Sequence, residues 1–238
     1  LIYYWIKYPG LRLHKKDCVW NREDFMEILS LSGFTCLQQS VMNFGILMVQ
    51  GLVNSFGAVV MAAFAVAVKI DTIAYMPVQD FGNAFSVFVA QNFSAGKKDR
   101  IRAGMKSAGI SVAVFCAVIS TAVCFCKTAM QIFVSGSDEV VRTGVQYLRI
   151  EGMFYIGIGI LFMLYGYYRA VSRPGVSVVL TVISLGTRVL LAYTLSAVSW
   201  IGVAGIWGSI PIGWFLADFA GILLLKRSRT LKKSQDTV

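Results

Sequence analysis

Six ionisable side chains lie inside long apolar stretches of the sequence, where a charge costs a few kcal/mol or more unless it has a partner or faces water. They are Lys69, Asp71, Asp80, Glu151, Arg188 and Asp218. A carboxylate at such a depth can bind a proton or a cation, and it can equally pair with a basic side chain. We therefore treat all six as candidates for ion coupling or for buried charge pairs.

The first three of these residues are separated along one helical segment. Asp71 and Asp80 are nine residues apart, which places them on opposite faces of a straight helix at about 100° per residue. Pro77 lies between them and would bend that helix. Lys69 and Asp80 share a face but lie about 16 Å apart along the axis, too far to pair. For Asp71 we expect pairing with Lys69 or Arg188, and a proton or sodium site is the alternative.

The remaining charges also favour structural pairing over coupling. Arg188 lies about 12 Å from the outer end of its segment by helical rise, so Glu151 is its expected counter-ion. Asp218 lies about 12 Å from Lys226 by the same measure and is expected to contact cytoplasmic water. The tyrosines near one cytoplasmic end are expected to form an interfacial belt: Tyr165, Tyr167 and Tyr168.

Four amides form a polar stripe on one predicted helix. Gln39, Asn43, Gln50 and Asn54 are offset by 4, 11 and 15 residues, which places all four within about 60° of one another. Such a stripe can line a substrate cavity, offering donors and acceptors to varied solutes. It can equally hydrogen-bond neighbouring helices together, and the two interpretations stay open.

Enzyme chemistry has little support in the sequence. There is a single histidine, His14, and no DDxxD, HExxH or GxSxG motif. The five cysteines show no CxxC pairing and are expected to be small buried hydrophobes; they are Cys18, Cys36, Cys116, Cys124 and Cys126. We expect no enzyme activity, no catalytic residue, no metal site and no cofactor.

The elements that position these residues are membrane helices. The chain is 57% hydrophobic and 14% charged, with mean hydropathy +0.68, whereas soluble domains carry about 25% charged residues. Each of six apolar segments is long enough to cross a bilayer: 28–56, 58–93, 106–126, 147–171, 176–196 and 204–225. We predict an all-α polytopic membrane protein. Residues 1–24 would be the end of a preceding helix plus a cytoplasmic connector, 25–226 a six-helix transmembrane lobe and 227–238 a basic cytoplasmic tail.

The basic residues predict the orientation of these helices. If the segments alternate, 17 of the 22 Lys and Arg residues fall on one side, which by the positive-inside rule is cytoplasmic. The net charge of +10 is therefore explained by topology, without nucleic acid as a partner. We predict a multi-pass protein of the plasma (inner) membrane with a cytoplasmic C-terminus.

The first residues, LIYYWIK, look like the end of an apolar helix already under way. We found no convincing internal repeat, and transporters are often built from two related halves. The chain is therefore expected to be a fragment, the C-terminal half of a longer protein whose N-terminal six-helix lobe is missing here.

Four segments resemble the C-terminal lobe of multidrug and toxic compound extrusion (MATE) transporters, close to the bacterial DinF-like members. They are GFTCLQQSVMNFGILMVQGLVNSFG (33–57), AVAVKIDTIAYMPVQDFGNAFSVFVAQNFSAGKKDRIR (65–102), LFMLYGYYRAVSRP (161–174) and GVAGIWGSIPIGWFLAD (202–218). The resemblance implies one lobe of a twelve-helix fold, exporting amphipathic or cationic drugs against Na⁺ or H⁺. Members that bind the cation in this lobe carry carboxylates in its first and fourth helices. Here the matching first-helix position is Asn43, and 154–158 has no acid. This departure from the family pattern argues against a cation site in this lobe. The other site that the resemblance implies, an aspartate early in the first lobe, would lie in the missing half.

Two alternatives remain at this stage. One is a flippase for lipid-linked oligosaccharides or their precursors in the same superfamily, which should place basic residues in the cavity. The other is a non-transporting integral membrane protein.

Overall fold

The computed structural model describes Lys7 and residues 20–124, 130–131 and 138–235. This part of the chain contains helices and no strands. The helices are α1 (Arg22–Asn54), α2 (Ala58–Ser94), α3 (Lys98–Cys124), α4 (Asp138–Gly152), α5 (Tyr155–Ala170), α6 (Pro174–Ser196) and α7 (Val203–Gln235). The fold is therefore all-α, as predicted.

The helix ends follow local sequence signals. Asn21 caps α1 by accepting a hydrogen bond from the backbone N–H of Glu23 at 3.0 Å, and Glu23 and Asp24 place negative charge in the first turn. Gly57 adopts a positive φ of 96°, a conformation that glycine accommodates without steric cost. Helix α2 begins directly after this glycine.

Five of these helices are long and apolar enough to cross a membrane: α1, α2, α3, α6 and α7. Helices α4 and α5 meet the same criteria only as a pair, bent by 53° at their junction. Counted as one broken span, the pair gives six crossings, in agreement with the predicted number. The prediction of a continuous helix over 147–171 was wrong, because the chain turns at Met153 and Phe154.

The predicted domain limits differ from the helix ends. Helix α1 begins at Arg22, inside the predicted connector, because the cap and the acidic first turn extend it beyond the apolar segment. Helix α7 continues to Gln235, through most of the predicted tail. Apart from Lys7, the preceding helix end and most of the connector, including His14, lie outside the described residues.

Helix α5 lies at the centre of the lobe and packs against α2, α3, α6 and α7. Its backbone comes very close to that of α2, where a Cβ atom built on Gly166 would lie 2.5 Å from the carbonyl oxygen of Gly82. A group of three aromatic rings joins α2, α4 and α7: Trp207 stacks on Phe64 at 5.4 Å and meets Tyr147 edge-on at 5.0 Å.

Helix α1 is the most weakly enclosed element. It packs mainly against α6, and its buried residues are Gly45, Val49 and Val53. Large apolar side chains such as Phe44 and Leu47 are more than 60% exposed. A surface of this kind suits lipid or another protein segment.

Candidate functional site

A buried cluster of polar and charged groups lies where α2, α4, α5 and α6 meet. Asp71, in the middle of α2, is 5% exposed. Tyr155 is the first residue of α5, and its hydroxyl donates a hydrogen bond of 2.5 Å to the Oδ1 atom of Asp71. The turn between α4 and α5 therefore places a tyrosine hydroxyl directly on the carboxylate.

A second carboxylate enters the cluster from the last turn of α4. Glu151 is 2% exposed, and Tyr147, one turn earlier on the same helix, is buried as well. Arg188 of α6 acts electrostatically on both Asp71 and Glu151. The Oε2 atom of Glu151 and the Nε atom of Arg188 have no hydrogen-bond partner.

The cluster carries two carboxylates and one guanidinium. A buried charge without a partner is expensive, so one negative charge of the cluster has to be balanced by a bound cation or removed by a proton. This arrangement is chemically suited to taking up and releasing a monovalent cation.

The structure separates the six candidate charges predicted from the sequence. Asp71, Glu151 and Arg188 come together, which places Arg188 near both acids. Lys69 is exposed on another face of α2, so the expected pairing of Asp71 with Lys69 was wrong. Asp80 is exposed as well, on the face opposite Asp71.

Asp218 lies away from this cluster and away from water. It is 4% exposed, and neither carboxylate oxygen has a hydrogen-bond partner. The expectation that Asp218 contacts cytoplasmic water was therefore wrong, because α7 turns this residue toward α5 and α6 and not toward the surface. It acts electrostatically on Tyr165 of α5.

A small polar cavity of about 50 Å³ opens between α1, α2 and α5, enough for a few water molecules. Arg169 of α5 reaches it and donates a hydrogen bond from Nη2 to Asn83 Oδ1 at 2.9 Å. The cavity is lined by Thr35, Gln38, Gln39, Met42, Gln79, Asn83, Phe162, Tyr165 and Arg169.

Of the predicted amide stripe, Gln39 lines this cavity. Asn43, Gln50 and Asn54 are exposed along the side of α1, where the remaining structure leaves them uncovered. The stripe is thus turned away from the core of the lobe, and amide-to-helix hydrogen bonding within the lobe does not account for it.

Sequence reasoning missed several cavity residues and the tyrosines of the cluster. Gln79 and Asn83 are four residues apart on α2 and so share a face, a signal that was available. Tyr165 and Tyr168 are buried, so the expected interfacial belt was wrong for these two. They pack inside because α5 is the central helix.

The described cysteines differ from one another. Cys116 is buried, as expected, whereas Cys36 is exposed and free. Cys18 and Cys126 and the side chain of Cys124 lie outside the described part. Among the described residues, no group of three or more His, Cys, Asp and Glu side chains could hold a metal ion.

Comparison with known proteins identifies the family of this chain. The chain is 29% identical over 210 residues to the probable multidrug resistance protein YpnP of Bacillus subtilis (strain 168), a match covering 87% of this chain and 46% of that protein. It superposes on an outward-facing multidrug resistance MATE family transporter of the MOP superfamily with a TM-score of 0.87, at 20% identity, over 98% of this chain and 53% of the other.

A MOP superfamily transporter from Pyrococcus furiosus superposes equally well, with a TM-score of 0.87 at 19% identity over 97% of this chain and 53% of that one. The chain thus spans about half the length of the proteins it matches. The MatE family model matches residues 34–194, which is more than half of the chain. This chain, a multi-pass membrane protein with the MATE transporter fold, belongs to the MatE family.

Proposed function

We propose that this chain is one lobe of a secondary active multidrug efflux transporter, which exports amphipathic or cationic xenobiotics against Na⁺ or H⁺. The family match supports transport, and the name of the Bacillus relative supports drugs as the substrate class. Since the chain spans about half of its relatives, a second six-helix lobe on the N-terminal side is its proposed partner.

The substrate surface in this proposal is the exposed amide stripe of α1 together with the adjoining cavity. Asn43 and Gln50 are exposed on the side of α1, and Gln39 connects them to the cavity. Amides offer both donors and acceptors without fixing one charge, which suits a range of substrates. The second lobe would face this stripe across a central passage, and relative motion of the lobes would give alternating access.

The buried charge cluster is the proposed coupling site, and its composition is the observation that carries the proposal. Two buried carboxylates, Asp71 and Glu151, lie within the electrostatic influence of one guanidinium, that of Arg188. Uptake of one proton or one sodium ion neutralises the excess charge, and its release restores it. The cluster therefore has two charge states that a cation gradient can populate.

Export of a fluorescent organic cation from proteoliposomes containing the native protein tests this proposal. Asp71→Asn should abolish export driven by a sodium or proton gradient, because it removes the excess charge. Asp80→Asn, an exposed aspartate of the same helix, is the matched control and should retain gradient-driven export. Equal activity of the two variants would contradict the cluster as the coupling site. The gradient that drives the native protein identifies the cation.

Lipid-linked oligosaccharide flipping is the second candidate function, and Arg169 is the observation that favours it. Its guanidinium reaches the polar cavity, where it would attract an anionic pyrophosphate. For the Pyrococcus furiosus transporter, the reverse polarity of the binding pocket has been taken to suggest a different function. Translocation of a lipid-linked sugar in place of an organic cation, lost in Arg169→Gln, would establish this function. Failure to move either substrate would favour a non-transporting membrane protein.

The proposed orientation in the membrane follows from the distribution of Lys and Arg residues between the two ends of the helices. We place the ends of α2 and α7 and the start of α1 on the cytoplasmic side of the plasma membrane, where Lys97, Lys98 and Arg227 lie.

A further inference from the structure

Asp218 is a buried carboxylate outside the proposed coupling cluster. It is 4% exposed, lies in the apolar middle of α7 and presents two oxygens that accept no hydrogen bond. An ionised carboxylate in that position would lack both a counter-charge and a donor, which is among the most costly arrangements in a protein interior.

The groups that face Asp218 cannot supply the missing donor or charge. From α5, the titratable group near Asp218 within the described residues is Tyr165, and its hydroxyl makes no hydrogen bond to either carboxylate oxygen. From α6, the nearby polar groups are hydroxyls, and these are already used. Ser177 donates to the carbonyl of Tyr165 at 3.3 Å, and Thr181 donates to the carbonyl of Ser177 at 2.9 Å.

Arg188, the basic residue of α6 at membrane depth, lies near Asp71 and Glu151 and does not pair with Asp218. Arg188 acts electrostatically on Asp71 and Glu151, and neither oxygen of Asp218 has a hydrogen-bond partner within the described residues. A single carboxylate with no second acid beside it does not form a divalent metal site. A proton is the ligand that removes its charge with no further partner.

We propose that Asp218 is a proton-binding site inside the membrane, separate from the Asp71–Glu151–Arg188 cluster. Its two carboxylate oxygens are buried and have no hydrogen-bond partner within the described part of the chain. A bound proton removes the charge that these oxygens would otherwise carry in an apolar surrounding.

Infrared difference spectroscopy of the native protein in proteoliposomes at neutral pH tests the protonation state. Asp218→Asn, which keeps the shape of the side chain, should lose a carboxylic-acid C=O band relative to wild type. The matched control is Asp99→Asn, whose side chain is 97% exposed; it should lose carboxylate bands. Loss of carboxylate bands from Asp218→Asn would overturn the proposal.

A measurement on the wild-type protein removes any dependence on the folding of a variant. Dicyclohexylcarbodiimide reacts with protonated carboxyl groups in apolar surroundings, so the peptide that contains Asp218 should be labelled at neutral pH, with labelling lost as the pH is raised. Protection by sodium ions, or an unlabelled peptide, would contradict a bound proton. None of these readouts depends on substrate transport, so the site at Asp218 and the proposed antiport can fail separately.

Discussion

At the scale of single residues, the buried carboxylate of Asp71 is stabilised in two ways, by a hydrogen bond from the neutral hydroxyl of Tyr155 and by the positive charge of Arg188. The tyrosine hydroxyl fixes the orientation of the carboxylate through one hydrogen bond but brings no charge. Arg188 brings the charge. Removing the tyrosine therefore tests geometry without changing the charge of the cluster.

Tyr155→Phe should destabilise the protein by about 1–3 kcal/mol, because Asp71 loses its donor while remaining buried. Thermal unfolding of the purified protein in detergent measures the change. Tyr193→Phe, at a tyrosine that is 47% exposed, is the matched control and should change stability by less than about 0.5 kcal/mol. Equal effects of the two substitutions would show that the hydrogen bond contributes nothing.

The types and depths of the charged residues identified the candidate acids from the sequence, but not which of them meet. Asp71 and Tyr155 are 84 positions apart, and no local spacing relates them. The same holds for Asp218, whose distance from Lys226 along the helix says nothing about what covers it from α5 and α6. Helical spacing reports which residues share a face, and only tertiary packing decides what that face touches.

At the scale of elements, the crossing of α2 and α5 depends on two glycines. Gly82 and Gly166 allow the backbones to approach so closely that a side chain at Gly166 would meet the carbonyl oxygen of Gly82. Small residues commonly occupy such contacts between membrane helices. The crossing positions Phe162 and Tyr165 beside the polar cavity.

Gly166→Ala should therefore destabilise the lobe by about 1–3 kcal/mol, since the added methyl group forces the two helices apart. Gly186→Ala is the control, because a Cβ atom there would have no atom within 4 Å; it should be neutral or stabilising by up to about 1 kcal/mol from helix propensity alone. Unfolding temperatures of both variants in the same detergent provide the comparison. A similar loss of stability in the two variants would indicate that the close approach of α2 and α5 is not required for the stability of the lobe.

Apolar length was sufficient to predict the helices that cross the membrane, and it failed at the junction of α4 and α5. The segment around Met153 and Phe154 is apolar and contains no proline, and Gly152, the last residue of α4, is its one weak sign of a break, because glycine disfavours a helix interior. The bend instead accommodates packing of α4 against α2, α3 and α7 while α5 runs through the centre of the lobe.

At the scale of the whole molecule, the exposed side of α1 is where a second lobe would be accommodated. Asn43 and Phe44 are neighbours in sequence and both are exposed, yet one side chain suits a water-filled passage and the other suits lipid. Their different chemistry on adjacent faces predicts which side of α1 lines the passage.

In a protein whose five native cysteines are replaced by alanine, Asn43→Cys should react rapidly with a membrane-impermeant maleimide. Phe44→Cys should react slowly, because a thiol facing lipid is rarely ionised. Val49→Cys, at a position that is 0% exposed, should not react and serves as the second control. Faster labelling at position 44 than at position 43 would reverse the proposed orientation of α1.

The distribution of basic residues makes a further prediction for the whole chain. A fluorescent protein fused after Val238 should fold and fluoresce, while alkaline phosphatase fused at the same position should be inactive, since that enzyme requires export to form its disulfides. Active phosphatase would place the C-terminus outside and invert every loop assignment.

The 53° bend between α4 and α5 has a mechanical consequence for the charges beside it. Glu151 is attached to the helix before the bend and Tyr155 to the helix after it. Any tilt of α4 relative to α5 therefore alters the separation between the Glu151 carboxyl and the Tyr155-bound Asp71, and with it the repulsion between two like charges. If the cluster is the proposed coupling site, neutralising one of the two acids removes that repulsion, and we expect cation uptake to be accompanied by a change in the angle between α4 and α5.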